Sequence, residues 1–136
     1  MNERTEVPVE TKNETINTGH YPTKMILKNG AKHFVLDTSD IVYCYSVNKV
    51  SYIVDASNQR YVSDKSLMRL ENELDPCVFF KINRTHIINF NFIRSFMSYE
   101  RNKMKVELKA VPKEGTVVIS QTRVNAFKEW VYNHVR

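Results

Sequence analysis

A short polar cluster framed by apolar residues lies near the middle of the sequence. It falls within residues 79–89, Phe-Phe-Lys-Ile-Asn-Arg-Thr-His-Ile-Ile-Asn. Lys81 and Arg84 supply cations, and Asn83 and Thr85 supply hydrogen-bond donors and acceptors. The apolar residues on both sides predict a buried strand, a turn that presents the polar side chains, and a return into the core. A rigidly framed polar turn is typical of a binding site.

The positive charge of the chain is concentrated around this turn. The net charge is +5, and residues 78–128 hold ten lysines and arginines against three glutamates, a surplus of seven. Residues 1–22 hold two cations against four glutamates. A basic segment on a folded domain favours a polyanionic partner, most simply nucleic acid. Charge alone leaves open the alternative of a solvated basic surface without a partner.

The sequence lacks the residue patterns of several functional classes. The cysteines Cys44 and Cys77 form no CxxC pair and the four histidines are dispersed, so no zinc site is predicted. No glycine-rich phosphate loop, HExxH segment or nucleophile elbow occurs. No apolar run has membrane-spanning length, and no signal peptide opens the chain. We therefore expect no enzyme, cofactor or disulfide framework, a buried Cys44 thiol, and a cytoplasmic protein.

Alternating apolar residues and turn signals predict a mostly β fold with two helices and largely antiparallel sheets. Residues 1–22 are polar and acidic and are expected to form a flexible linker or arm, so the folded domain should span residues 23–136. The predicted strands cover residues 25–27, 32–36, 41–45, 50–54, 60–62, 103–108 and 116–119, with a further strand ending near residue 99. Asn29-Gly30 predicts a hairpin turn, and Ser46–Lys49 and Pro112–Gly115 predict loops.

Two helices flank the basic half of the chain. The first has leucines at helical spacing, at Leu67, Leu70 and Leu74. Ser63 or Asp64 is its expected N-cap, and Asp75-Pro76 should end it. Ser120 is expected to cap the second helix, with Trp130 anchoring it to the sheet. The apolar face of that helix is predicted to comprise Val124, Phe127, Val131 and Val135.

The order of these elements and the polar turn resemble the LytTR DNA-binding domain of bacterial response regulators of the LytR/AlgR/AgrA type. The resemblance covers about residues 24–135 and is most specific in residues 80–89. The family pattern there runs Phe, Arg, aliphatic, His, Arg, Ser, aromatic, aliphatic, Val, Asn. Arg84, Ile87 and Asn89 match it. The departures are Lys81 for Arg, Asn83 for His, Thr85 for Ser, His86 for an aromatic residue, and Ile88 for Val.

The resemblance implies an elongated, largely antiparallel β fold in which loops, not a recognition helix, enter the DNA. Carried over by position, the DNA contacts are Asn48, Lys49 and Ser51; then Lys81, Asn83, Arg84 and Thr85; then Gln121, Thr122 and Arg123. The resemblance also implies double-stranded DNA with repeated half-sites as partner, a dimer on DNA, and an N-terminal receiver domain. We expect the receiver to be missing from this sequence, in agreement with the interpretation of residues 1–22 as a linker.

The side chains of the polar turn have distinct expected roles. Arg84 is the first choice for a base contact, because its guanidinium can donate two hydrogen bonds to guanine. Asn83 has two interpretations of equal weight, an amide that reads adenine and an Asx-type hydrogen bond that holds the turn. Lys81 should clamp phosphate. His86 is expected to pack in the core or at an interface, with a DNA contact as the less favoured alternative. Asn89 should fix backbone at the strand end.

The sequence thus predicts sequence-specific DNA binding by loops in successive major grooves, in the effector domain of a bacterial transcription regulator. The alternative is a protein-interaction or dimerisation module of the same fold without specific DNA binding. Basic loops on opposite faces of the molecule would favour that alternative. RNA binding would require exposed aromatic side chains for stacking, whereas the phenylalanines here are expected to be buried.

Overall fold

The computed structural model describes residues 20–109 and 116–135. Most of the predicted arm of residues 1–22 and the predicted loop Pro112–Gly115 lie outside these residues. The strands are β1 Lys24–Asn29, β2 Lys32–Asp37, β3 Ile41–Val47, β4 Val50–Asp55, β5 Arg60–Ser63, β6 Phe79–Asn83, β7 His86–Asn89, β8 Ile93–Tyr99, β9 Lys103–Leu108 and β10 Val117–Ile119. The helices are α1 Leu67–Glu73 and α2 Val124–His134, and single 3-10 turns cover Thr38–Asp40, Phe90–Phe92 and Gln121–Arg123.

The described strands form two sheets, and every pairing in them is antiparallel. The large sheet has the order β2-β1-β5-β4-β3-β7-β6, and the small sheet has the order β10-β9-β8. The predicted class, mostly antiparallel β with two helices, is therefore confirmed. The polar turn of the sequence joins β6 to β7 at one margin of the large sheet, with β6 as its outermost strand.

Two apolar cores cover opposite faces of the large sheet. On one face, α1 packs its leucines against residues such as Cys44, Ile53 and Ile87. On the other face, the small sheet and α2 pack against Ile82 and Ile88. Successive residues of β7 therefore enter different cores, as the strand period of two requires. The strands β6 and β7 are consequently buried on both sides, which makes the turn between them rigid.

The turn chemistry explains how the strands reverse. Gly30 has a φ of +68° and occupies the first of two turn positions between Asn29 and Lys32. Asn48 and Lys49 have φ values of 51° and 68°, so they form the tight two-residue turn that suits the twist of a hairpin. The predicted loop Ser46–Lys49 is thus too long, because Ser46 and Val47 still pair with β4.

Both predicted helix starts need correction. Ser63 ends β5, and its Oγ accepts a hydrogen bond from the backbone N–H of Lys65, so it forms a local turn before the helix. The N-cap of α1 is Ser66, whose Oγ accepts from the backbone N–H of Arg69 at 3.1 Å. Ser120 precedes a 3-10 turn and makes no side-chain cap bond, so α2 begins only at Val124.

The apolar face of α2 is largely as predicted. Phe127 and Val131 are buried and Val124 packs beside them, whereas Val135 is 65% exposed because it lies past the end of the helix. Trp130 stacks on Phe80 with ring centroids 5.0 Å apart. Its indole N–H also donates to the backbone carbonyl of Pro76 at 3.0 Å. The prediction that Trp130 anchors α2 to the large sheet is confirmed.

Asn89 has the structural role that its position predicts. It is fully buried, and its Nδ2 donates to the carbonyl of Ile41 at 2.8 Å. Its Oδ1 accepts from the backbone N–H of Asn91 at 2.8 Å. One amide thereby fixes the start of β3 and the chain reversal after β7.

We expect Asn89→Ala to lower the free energy of unfolding by about 3 kcal/mol, because the Ile41 carbonyl and the Asn91 N–H both lose buried partners. Urea denaturation of the folded chain measures this. Asn91→Ala is the matched control: Asn91 is exposed, and only its backbone enters the network. A surface change of this kind should stay within about 0.5 kcal/mol. Equal losses in both variants would contradict the role of the Asn89 amide.

Candidate nucleic-acid interface

A side-chain hydrogen bond shapes the turn between β6 and β7. Oδ1 of Asn83 accepts from the backbone N–H of Thr85 at 2.8 Å and from the Thr85 hydroxyl at 3.1 Å. This is the Asx-type bond that was one of the two interpretations of Asn83. It leaves Arg84 at the tip of the turn, exposed, with no hydrogen bond or ion pair to any described residue. The turn therefore presents one cation to solvent on a fixed backbone.

The same amide connects the turn to the small sheet. Nδ2 of Asn83 donates to the backbone carbonyl of Val118 in β10 at 2.6 Å. Both functional groups of the Asn83 side chain are thus engaged inside the protein. A base contact by Asn83 would have to compete with these bonds, so its geometry favours positioning of the turn over reading of adenine.

The segment before α2 is fixed along the outer edge of β6. The backbone N–H of Ser120 donates to the carbonyl of Ile82 at 3.0 Å. The Nε–H of Arg123 donates to the carbonyl of Lys81 at 3.0 Å, and its guanidinium carbon lies 4.5 Å from the ring centre of Phe80. The 3-10 turn Gln121–Arg123 thus supplies hydrogen bonds to an otherwise open strand edge.

These two segments line one groove of about 330 Å³. Its walls are Glu71, Lys81, Asn83, Arg84, Ser120, Thr122 and Arg123. The three cations among them come from positions that the sequence assigned to two separate contact segments. The structure therefore places Lys81, Asn83, Arg84, Thr122 and Arg123 around one surface feature, and Thr85 is exposed beside it.

Glu71 is the groove residue that sequence reasoning missed. Its Oε1 lies 3.8 Å from Nζ of Lys81, and both side chains are partly exposed. Nothing local in the sequence marks Glu71, because α1 reaches the groove only through tertiary packing. The carboxylate partly neutralises Lys81 and sets an acidic group against any anion that enters the groove.

The third predicted segment lies at the same end of the large sheet. The backbone N–H of Ser46 donates to the carbonyl of Thr85 at 3.0 Å, so the exposed turn Asn48–Lys49 projects beside the β6–β7 turn. Ser51 is only 3% exposed, because it alternates with the outward residues of β4. Its buried side chain is not available to a ligand in this structure.

Gln121 is exposed but does not line this groove. It borders a separate concavity of about 480 Å³ between α2 and the hairpin that joins β8 to β9. Of the ten predicted contact residues, Gln121 and Ser51 are therefore the two that neither line the groove nor are exposed beside it at the end of the large sheet. Gln121 is set apart by the 3-10 turn Gln121–Arg123, and Ser51 is set apart by the alternation of inward and outward residues in β4.

His86 packs in a row of aromatic rings, as its expected role requires. Its ring stacks near Tyr45, with centroids 6.0 Å apart, and Tyr45 stacks on Tyr52 at 5.1 Å. Its Nδ1 lies 2.9 Å from the hydroxyl of Thr85. Burial lowers the pKa of His86 below its ordinary value, because the imidazolium form loses hydration.

The described part of the chain offers no residues suited to metal binding or to nucleophilic catalysis by Cys44. Within residues 20–109 and 116–135, no three His, Cys, Asp or Glu side chains come close enough to hold a metal ion. Burial raises the pKa of the Cys44 thiol to about 12, so this cysteine is not a nucleophile near neutral pH. None of the described helices has the length and apolar character that crossing a membrane requires.

Comparison with known proteins agrees with this fold. The family model of the LytTr DNA-binding domain matches residues 31–132. A solved structure assigned to the LytTr DNA-binding domain of a methyl-accepting/DNA response regulator from Bacillus cereus superposes with a TM-score of 0.73. The two are 18% identical in sequence, and the match covers 81% of this chain and 97% of that one, so it shows a shared fold. The comparison with curated proteins gives no match.

The lowered pKa of His86 predicts a specific pH dependence of stability. Because the unfolded chain binds a proton more readily than folded His86, the free energy of unfolding should fall as the pH drops below about 6.5, the unperturbed pKa of histidine. His86→Phe preserves the ring and removes the titration, so its stability should fall less between pH 7.5 and 5 (roughly the range over which histidine titrates). Chemical denaturation at several pH values measures both proteins. Parallel curves would contradict the contribution of His86.

Proposed function

This chain belongs to the LytTR DNA-binding domain family, and we propose that it binds double-stranded DNA sequence-specifically as the effector domain of a bacterial transcription regulator of the two-component type. The observation that supports this proposal most is the convergence of two distant segments on one groove with three cations. A groove of this kind suits the phosphate-lined surface of a duplex, because cations near phosphates release bound counterions.

The residues of the groove have different proposed roles. Arg84 reads guanine in the major groove, because it lies at an exposed tip and its guanidinium is free to donate two parallel hydrogen bonds. Lys81 contacts phosphate as a flexible point charge. Arg123 uses its Nε for the Lys81 carbonyl, and its terminal nitrogens remain to donate to phosphate. The hydroxyls of Thr85 and Thr122 add phosphate hydrogen bonds.

Asn83 acts on DNA through the turn that it holds. Its two hydrogen bonds to Thr85 and its bond to Val118 set the direction in which Arg84 projects. This assignment also accounts for asparagine at a position where the family pattern has histidine. An amide can accept a hydrogen bond from the turn and donate one to β10 at the same time. The donor and acceptor roles of a histidine ring would instead depend on its protonation.

The turn Asn48–Lys49 supplies a second point of contact. It is exposed, basic and held at the same end of the large sheet as the groove. We propose that this turn and the β6–β7 turn enter successive major grooves, with Gln121 near the flanking backbone. Two such domains bind repeated half-sites as a dimer, and a receiver domain preceding residues 1–22 controls their pairing in the cytoplasm.

The convergence of the contact segments also weighs against the interaction-module alternative. That alternative would be favoured by basic loops on opposite faces, whereas these loops project from one end of the large sheet. A selection experiment decides between them. The full chain is incubated with a randomised duplex pool at low and at moderate salt, and retained DNA is sequenced. Enrichment of a repeated motif supports the proposal, and absence of retention at low salt contradicts it.

Arg84→Ala should weaken binding to the selected site far more than binding to random duplex. The difference should be about 1–3 kcal/mol, the usual discrimination of a bidentate guanine contact. Lys81→Ala is the control, because loss of a phosphate contact should weaken both kinds of binding alike and flatten the salt dependence. Titrations of both duplexes at matched salt measure these changes. An equal loss on both duplexes for Arg84→Ala would remove its base-reading role.

Glu71→Gln should strengthen DNA binding about threefold at low salt, on selected and random duplex alike. The substitution removes an anion from the groove and releases Lys81 from its ion pair, and a partly exposed pair of this kind is worth no more than about 1 kcal/mol. The gain should shrink as salt rises. Glu129→Gln makes the same charge change at an exposed position of α2 outside the groove. Equal gains in both variants would show a general charge effect instead.

A further inference from the structure

A second basic concavity lies beside the groove of the candidate interface. It is the concavity of about 480 Å³ between the start of α2 and the end of the β8–β9 hairpin. Asn102 and Lys103 of the hairpin, Asn125 and Lys128 of α2, and Gln121 of the 3-10 turn border it. We call it the hairpin concavity. Apart from Gln121, none of these residues belongs to a predicted contact segment.

The charge of the hairpin concavity is positive and uncompensated. Neither Lys103 nor Lys128 makes a side-chain hydrogen bond or an ion pair to any described residue. The residues that border the concavity include no Asp or Glu, whereas the neighbouring groove contains Glu71. Glu100 and Glu129 are close in sequence, but both are exposed and neither borders the concavity. The concavity is therefore a more favourable position for an anion than its size alone indicates.

The backbone of the hairpin holds one of these lysines in a defined place. Arg101 and Asn102 have φ values of 57° and 62°, so they form a tight two-residue turn like the one at Asn48–Lys49. Lys103 follows this turn and pairs with Tyr99 of β8. Its neighbour Met104 is buried, so strand alternation sets Lys103 on the outer side, at the rim of the concavity.

The hairpin concavity and the groove lie on two sides of a single turn. Gln121 borders the concavity, whereas the next residues, Thr122 and Arg123, line the groove. A 3-10 turn has three residues per turn, so successive side chains point in different directions. The turn itself is fixed to the edge of β6 by the bond from the N–H of Ser120 to the carbonyl of Ile82. An extended ligand in the groove can therefore continue across the turn into the concavity.

We propose that the hairpin concavity is a phosphate site, and that its occupant is the backbone of the duplex next to the bases read at the groove. The inference rests on the proposed function and adds to it a contact from the small sheet. Lys103 and Lys128 supply the charge, and the amides of Asn102 and Asn125 donate hydrogen bonds. Phosphates of one strand follow each other about every 3.4 Å along the helix axis. A strand that crosses the turn thus places phosphates on both sides of it.

The exposure of these side chains favours a polymer over a small free anion. Lys128, Asn102 and Asn125 are exposed and Lys103 is partly exposed, so a single phosphate would remain largely hydrated and weakly held. A strand already held in the groove presents its phosphates to the concavity at high effective concentration. The site adds affinity and salt dependence, and it reads no base.

The salt dependence of DNA binding by the full chain tests this proposal. Lys103→Gln and Lys128→Gln should each weaken binding to selected and random duplex alike. Each should flatten the plot of log affinity against log salt by about 0.9, so the deficit against the wild type should grow about eightfold for each tenfold reduction in salt. Circular dichroism and the urea midpoint should stay as in the wild type, because both changes lie at the surface.

Lys109→Gln is the matched control. Lys109 is exposed and directly follows β9, at the opposite end of that strand from Lys103. The two residues are about 20 Å apart, which is about twice the screening length at 0.1 M salt. Lys109→Gln should therefore leave both affinity and slope unchanged. If it flattens the slope as much as Lys103→Gln does, the effect is one of total charge, and the site is overturned.

Neutral phosphates in the duplex locate the contact. Duplexes with a methylphosphonate at one position at a time should reveal the phosphates whose charge the wild type uses. Lys103→Gln should lose its sensitivity to a phosphate outside the bases of the selected motif, whereas Arg84→Ala should keep it. Sensitivity that Lys103→Gln loses at no particular position would indicate diffuse attraction and overturn the site.

The same measurements separate this inference from the proposed function. If the wild type selects a motif but both lysine variants keep its salt slope, the inference fails and the proposed function stands. If the wild type binds duplex without selecting a motif and both variants flatten the slope, sequence-specific recognition fails and the inference stands. A titration with inorganic phosphate, followed by the backbone amide signals of Asn102 and Lys103, distinguishes the source of the anion. Saturation at micromolar phosphate, with wild-type DNA slopes in both variants, would assign the concavity to a small anion and overturn the duplex as its occupant.

Discussion

The free edge of β6 determines where the groups of the candidate interface lie. An outermost strand exposes backbone groups without partners, and these attract another segment of chain. Here the residues before α2 supply that segment, through Ser120 on the carbonyl of Ile82 and Arg123 on the carbonyl of Lys81. Asn83 completes the connection from the other side, through Val118. Because these bonds join residues at least 35 positions apart, the groove exists only in the assembled domain.

Features that depend on neighbouring residues could be predicted from the sequence. Asn29-Gly30 marked the first hairpin because glycine tolerates positive φ, and the leucines of α1 marked its buried side by their spacing. The helix starts were harder, because Ser63, Asp64 and Ser66 are all competent caps. The hydroxyl of Ser63 instead forms a turn with Lys65, and that choice depends on where β5 ends, which pairing with β4 decides.

In the candidate site, too, local features could be predicted from the sequence, whereas features set by tertiary packing could not. The Asx bond of Asn83 spans two residues and was visible as one of two interpretations of that side chain. The burial of Ser51 follows from strand alternation, but a register one residue different would have exposed it. Glu71 left no local signal, because it reaches the groove only through the packing of α1. Sequence therefore indicated which chemistry is present, and tertiary structure determined which groups meet.

The groove at the edge of β6 has walls from three parts of the fold: α1, the β6–β7 turn and the segment before α2. A ligand that occupies it touches all three at once. Its binding free energy is therefore added to the energy that holds the small sheet and α2 on the large sheet. Since protein layers can open separately from global unfolding, occupancy of the groove opposes such opening. A ligand bound in the groove would therefore stabilise the packing of the small sheet and α2 on the large sheet.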